Sequence, residues 1–350
     1  MNILLQDLIK FKTFENNNEV TKCFNYIKKY LKKSNLFIKE YNFNNYRSLV
    51  ISNTKDKDLD VIFCGHLDVV PGNESQFHPI IENNKLYGRG AFDMKGHDAV
   101  MIELMKKLPT NKKIALFLTT DEEQGGYNGT YKLLNEEKYA SSLAIIPDAG
   151  NNFDLIIEEK AVLQLELSMK GISTHASTPW KGENAITKLM NIYNKLLNIY
   201  PLPENKKEFI TSINLGYIKG GDVVNRVPSK ASLGLDIRYI SKDSEEEIIN
   251  NIKTISSDVE INVLEKGINY KYLESDLARK YLSVCKNILK RKINISKCEG
   301  SSDARFFYEK HISSILMNAK GNDMHGDNEY ISIDSLHRLY EIYYKFLQDL

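Results

Sequence analysis

Only four of the 350 residues are cysteines, Cys23, Cys64, Cys285 and Cys298, and no two of them are closely spaced. That excludes a thiolate zinc knuckle and a small disulfide-stapled fold, and unpaired thiols fit a reducing cytoplasm. No apolar run approaches the roughly 20 residues needed to span a bilayer, so a membrane is excluded as a partner. The opening stretch, MNILLQDLIKFKTF, breaks its apolar positions with Gln, Asp and Lys, which excludes a signal-peptide core. Its Ile3, Leu5, Leu8, Ile9 and Phe11 read instead as one face of a helix. An excess of charge of one sign is also missing. A net charge of +1 gives no electrostatic case for nucleic acid or an anionic lipid surface, and the lysine pairs at 28–29 and 32–33 read as a solvated helix face. There is no internal repeat and no low-complexity linker. The glycines of GRGAFDMKG lack the GxGxxG spacing of a nucleotide loop.

What the chain does contain is five short segments that place His, Asp or Glu just after apolar runs: GHLDVVP at 65–71, GRGAFDMKG at 88–96, TTDEEQGG at 119–126, IPDAG at 146–150 and DMHGDNEY at 323–330. The runs 61–64, 114–118, 143–146 and 312–317 are largely aliphatic or β-branched and predict buried parallel strands. Ligands of open α/β sheets collect at the carboxyl ends of such strands. His66, Glu122, Glu123, Asp148 and His325 are therefore expected at one edge of one sheet. A mixed imidazole and carboxylate set suits zinc or a neighbouring divalent metal, and the donors exceed what one ion needs. The surplus points to two ions, which need a bridging carboxylate, and Asp93 is the natural bridge. The glycines around it let the backbone bend far enough for that. Cys64 reads as a small packed hydrophobe rather than a ligand.

These segments resemble the di-zinc amidohydrolase and metallopeptidase family that includes succinyl-diaminopimelate desuccinylase, acetylornithine deacetylase, aminoacylase, carboxypeptidase G and several dipeptidases. The resemblance covers essentially the whole chain and extends to GISTHASTPWKGENAI at 171–186, NRVPSKASLGLDIRY at 225–239, GSSDARFF at 300–307 and HGDNEYISIDSL at 325–336. It implies that His66, Asp93 and Asp148 hold one zinc, and Asp93, Glu123 and His325 the other, with cobalt or manganese as alternatives. It further implies that Asp68 orients His66, that Glu122 is the general base, that the peptide after Asp93 is cis, and that His175 supports the developing oxyanion. Asn225, Arg238 and Ser301 match substrate-contacting positions, the Arg suiting a free carboxylate. The family usually has Gly where His97 stands, and this residue is expected as an exposed helix-start histidine.

The fold class expected is α/β, a mixed and mostly parallel sheet flanked by helices, with an inserted small α+β domain. Residues 1–160 and 275–350 would form the catalytic domain. Residues 161–274, whose strands alternate at 162–169 and 232–239 beside helical patterns at 184–199 and 242–255, would form the lid and dimerisation domain. Further helices are expected at 276–289 and, capped by Ser332 or Asp334, at the C-terminus. The activity implied is amide hydrolysis in a small substrate. Two departures favour an exo- or dipeptidase: Glu159 and Lys160 replace the paired arginines of desuccinylases, and the late carboxylate ligand is Asp148, where deacylases more often carry Glu. An N-acyl-amino-acid deacylase is the alternative, and an inactive binding relative the lesser one. The partners expected are a peptide or N-acyl amino acid and a second copy of the chain.

Overall fold

All four apolar runs become strands with both faces covered. The computed structural model, which describes residues 1–14, 18–205 and 208–350, places them in Asp58–His66, Ile114–Thr119, Ala140–Ile146 and the shorter Ser314–Leu316. They lie parallel in a six-stranded sheet, where Asp58–His66 sits between Ile114–Thr119 and Ala140–Ile146 and Ser314–Leu316 forms one edge. The hairpin of Phe37–Phe43 and Tyr46–Ser52 completes the other edge in antiparallel register. The sheet is therefore mixed but mostly parallel, as the sequence predicts. His66 pairs with Thr119 in register, so the chemistry-bearing segments leave from neighbouring strand ends.

The described chain divides into two compact units, one of residues 1–157, 272–296 and 302–350, the other of residues 158–271 and 297–301. In the first, helix Lys95–Lys106 is buried along almost its whole length, although Lys95, His97 and Asp98 lie in its first turn. Helix Ile333–Gln348 turns Leu336, Leu339, Ile342, Tyr343, Phe346 and Leu347 inward, and its cap, Ser332, accepts the amide proton of Ser335. The Tyr343 ring meets Phe63 of the central strand edge-on at 5.0 Å between centroids. Helix Asp276–Leu289 lies where the periodicity puts it, capped by Ser275. The N-terminal helix, Asn2–Lys10, differs in detail: Leu4 faces the core with Leu5, Leu8 and Ile9, while Ile3 is 74% exposed. The same unit holds a small antiparallel sheet of Ile80–Glu82, Lys85–Tyr87, Tyr330–Ser332 and Gly321–Asn322.

The second unit is an antiparallel sheet in the order Ser212–Gly220, Lys230–Tyr239, Ala161–Lys170, Glu260–Lys266. Alternate residues of Ala161–Lys170 point inward, which is the period-two pattern of a one-sided sheet. Helices Ala185–Ile199 and Glu245–Ile255 bury Leu189, Ile192, Ile248 and Ile252 in the same core as Leu163, Leu165, Leu167 and Leu235. No helix is long and apolar enough to cross a membrane among the described residues.

Candidate active site

Four of the five residues expected at the sheet edge, His66, Glu122, Glu123 and Asp148, follow its strands. His66 ends its central strand, the turn Glu122–Gln124 follows Ile114–Thr119, and Asp148 follows Ala140–Ile146 by two residues. Asp93 comes from the segment between the small sheet and helix Lys95–Lys106, and the peptide joining it to Met94 is cis. Gly90 just before it has φ +79°, and a Cβ there would meet Val69 at 2.7 Å, so the approach of this loop requires glycine. His325 corrects the expectation. It does not stand on the edge of the parallel sheet but in the loop between two strands of the small one, at φ +62°. The chain needs several residues beyond Ser314–Leu316 to bring an imidazole over the sheet edge, and the small sheet supplies that path.

The geometry divides the donors into two groups around one carboxylate. Asp93 Oδ1 lies 3.1 Å from His66 Nε2, and Asp93 Oδ2 lies 2.9 Å from His325 Nε2. Around His66 Nε2, Asp148 Oδ1 is at 3.4 Å and Glu122 Oε2 at 4.0 Å; around His325 Nε2, Glu123 Oε1 is at 3.1 Å. Ligand atoms about 2.1 Å from a tetrahedral ion are about 3.4 Å apart. The separations of 2.9–3.4 Å from Asp93, Asp148 and Glu123 to the two imidazoles lie at or a little below that value, so the donor set fits two cations sharing Asp93. Glu122 belongs by distance to the first group, with His66 and Asp148.

Burial and crowded charge shift the two histidines and several of the carboxylates here. Burial opposes a charged His66, yet Asp148, Asp68 and Asp93 together hold its pKa well above the ordinary imidazole value. Hydrogen bonds to Asp93 and Glu123 push His325 up to about 10. Burial raises Asp148 to about 7 and, with the Asp148 charge second, raises Glu122 well above the usual carboxylate range. These four shifts share a setting, a buried cluster of carboxylates around two imidazoles.

Asp68 acts on His66 mainly through its main chain. His66 Nδ1 lies 3.0 Å from the Asp68 carbonyl oxygen and 3.5 Å from the carboxylate, whose other oxygen accepts the Glu123 amide proton at 3.0 Å. His97 is another correction. It is fully buried, its Nε2 accepts the Ala319 amide proton at 3.1 Å, and burial lowers it to about 3, so it is a neutral structural acceptor. The helix it begins is covered on all sides, which a start-of-helix position in the sequence does not disclose.

His175, Asn225, Arg238 and Ser301 belong to the second unit. His175 and Asn225 are exposed neighbours there, joined by the Ala176 amide donating to the Asn225 carbonyl at 2.9 Å. Arg238 is engaged within its own strand: Nε and Nη2 donate to the two carboxylate oxygens of Asp236 at 2.7 and 3.1 Å. The sequence reading passed over three other groups. Asp303, in GSSDAR, is buried behind the Glu122 turn and accepts the Thr130 hydroxyl at 2.5 Å. Arg89 and Glu329 form a buried pair beside Asp93. All three lie inside motifs already singled out, and charged residues beside metal donors were the available signal.

The family model described as Peptidase family M20/M25/M40 matches residues 62–349 of this chain. A "[LysW]-lysine/[LysW]-ornithine hydrolase" of Sulfurisphaera tokodaii is 32% identical over 322 residues, covering 89% of this chain and 87% of that protein. A succinyl-diaminopimelate desuccinylase of Rickettsia typhi is 28% identical over 331 residues, with 83% and 84% covered. Among solved structures, aminopeptidase PepT from Bacillus cereus aligns with a TM-score of 0.79 at 19% identity, covering 99% of this chain and 96% of that one. An M20 family metallo-carboxypeptidase from Sulfolobus solfataricus gives 0.78 at 17%, covering 99% and 98%. The two structural likenesses establish the fold.

Proposed function

We infer that this chain, which belongs to peptidase family M20/M25/M40, hydrolyses an amide bond in a small substrate, acting as an exo- or dipeptidase with two divalent cations. The observation that carries the reading is the division of the two Asp93 oxygens between His66 and His325, each flanked by a further carboxylate. His66, Asp93 and Asp148 would hold one cation and Asp93, Glu123 and His325 the other. When bound, such a pair supplies Lewis acidity, polarising a carbonyl and acidifying water. Zinc suits the donor set best, with cobalt or manganese as substitutes.

The protein groups do the rest. Glu122, whose proton affinity burial raises, takes the proton of the attacking water and passes it to the leaving amine. Asp68 fixes the ring of His66 from its Nδ1 side. His175 Nδ1 accepts the Ser177 amide proton at 3.1 Å, which leaves Nε2 as the ring nitrogen to donate to a developing oxyanion. Asn225, Arg238 and Ser301 bind the remainder of the substrate.

For the substrate, Lys160 favours a peptide. It stands where desuccinylases carry arginine, but it is buried and its ammonium is paired with Glu299 at 2.5 Å, so it is committed inside its own unit. The relatives named for lysine, ornithine and diaminopimelate derivatives support the second reading, an N-acyl-amino-acid deacylase. Two edge strands of the second unit, bearing exposed Ile218, Val263 and Leu264, support a homodimer through that unit. Four free thiols support a cytoplasmic setting. The deciding experiment is a substrate panel with added zinc, cobalt or manganese. Dipeptide turnover exceeding that of N-succinyl and N-acetyl amino acids is expected; the reverse order would transfer the assignment to the deacylase.

A further inference from the structure

Glu329 is 1% exposed on its side chain and accepts four hydrogen bonds. Oε1 takes the amide protons of Phe92 and Asp93 at 2.9 and 3.0 Å; Oε2 takes that of Gly90 at 3.0 Å and Arg89 Nη1 at 2.8 Å. The other prong of the guanidinium, Nη2, donates to the main-chain carbonyl of His325 at 3.0 Å. One buried ion pair thus ties the main chain of the bridging donor to the main chain of the histidine on its far side. The small sheet brings the two loops together: Tyr330 pairs with Tyr87 in register, so residues 88–93 and 325–329 leave it side by side, and Gly88 donates to the Glu329 carbonyl at 3.1 Å.

The two cation groups depend on this brace unequally. His66 is 1% exposed at the end of a central strand, and its position is set by the sheet. The His325 side chain is 48% exposed, in a loop at positive φ, so burial does not fix it. Tethers to its loop include the Arg89 bond, the Gln76 amide on the Gly326 carbonyl at 2.9 Å, and the Gly326 and Asn328 amides on Asp323 at 2.8 and 2.7 Å.

We propose that Arg89 and Glu329 are positioning residues that hold His325 in register with Asp93 and so set the affinity of the cation shared by Asp93, Glu123 and His325. The proposal rests on the two-cation reading above. Groups that orient ligands from behind typically govern 10–100-fold in metal affinity, and a carboxylate held by four donors has no freedom to relax.

The test is cobalt(II) titration of the metal-free full-length protein, followed by calorimetry and visible absorption, for wild type, Glu329→Gln and Arg89→Lys. Lysine keeps the charge facing Glu329 but, as a single ammonium, cannot serve both Glu329 and the His325 carbonyl. Arg89→Lys is expected to leave the metal-free melting temperature near wild type and the first cobalt tightly bound, while weakening the second by about 10–100-fold. Glu329→Gln should do the same more strongly. If Glu329→Gln does not fold, Arg89→Lys alone carries the test. Unchanged second-site affinity in Arg89→Lys, or equal loss at both sites tracking a fall in melting temperature, would overturn the proposal and leave the pair as a brace of the fold. Fewer than two cobalt ions on the wild type would instead fail the two-cation reading, and the proposal with it.

Discussion

Replacing Glu122 by glutamine separates two roles that its position allows. The residue begins the turn after strand Ile114–Thr119, its side chain is 13% exposed, and its Oε2 lies 4.0 Å from His66 Nε2, beyond the 3.1 and 3.4 Å of Asp93 and Asp148. Burial first, then the Asp148 charge, raises its pKa. Asp148 is raised as well, so it is the longer distance of Glu122 that leaves it free to carry a proton. Glutamine matches it in shape but cannot accept a proton, so turnover should fall by about 10²–10⁴, or about 2.7–5.4 kcal/mol of barrier at 1.36 kcal/mol per decade. The Michaelis constant should move far less, because the lost interaction belongs to the transition state. The same preparation is then dialysed against cobalt and its metal content measured. Two cations with the stated loss support the base. One cation would make Glu122 a ligand of the first site, and undiminished turnover would assign the proton to another group; either result refutes the reasoning.

Cation binding should release protons: without a cation His66 is held well above the usual imidazole value and His325 at about 10, so both are protonated at pH 7 and must deprotonate to ligate. Affinity therefore rises with pH, about tenfold per unit for each proton displaced, and calorimetry in two buffers of different ionisation enthalpy that showed no proton release would contradict this. Gly65→Ala should destabilise the protein by about 1–3 kcal/mol, the usual range for overpacking, because a Cβ there would sit 2.1 Å from Asp98 Oδ1 and 2.8 Å from the Met101 methyl. Thermal melting reads the loss, and since the strand ends at His66, weakened cobalt binding should accompany it; an unshifted melt would show that helix Lys95–Lys106 yields freely. Arg238→Ala should weaken free-acid substrates by about 1.5–3 kcal/mol relative to their amides if the fork also reaches a substrate carboxylate. An equal change for acid and amide would confine Arg238 to its pairing with Asp236.

The sequence by itself determined the parts that are local. Apolar runs long enough for one strand and too short for a helix located the parallel sheet, and periodicity located helices Asp276–Leu289 and Ile333–Gln348 with their buried faces. The donor types at the strand ends gave the chemistry of the site, because imidazole and carboxylate have few reasons to gather beside apolar strands. Ile3 and Leu4 show where local reading runs out: both are apolar neighbours, and only the packed helix decides which faces in. His97 shows the same, since nothing in its neighbours tells that its helix is covered on every side. What the tertiary structure alone decided are contacts between residues far apart in sequence. Asp93 divides its oxygens between histidines 27 residues before and 232 residues after it, and Glu329 gathers the amides that fix Asp93. Arg238 meets Asp236 because residues two apart on a strand share a face, yet whether the fork turns to that neighbour or away from it depends on the packed surroundings. Strand order and the small sheet set these distances, and no periodicity along a chain encodes which strand lies beside which.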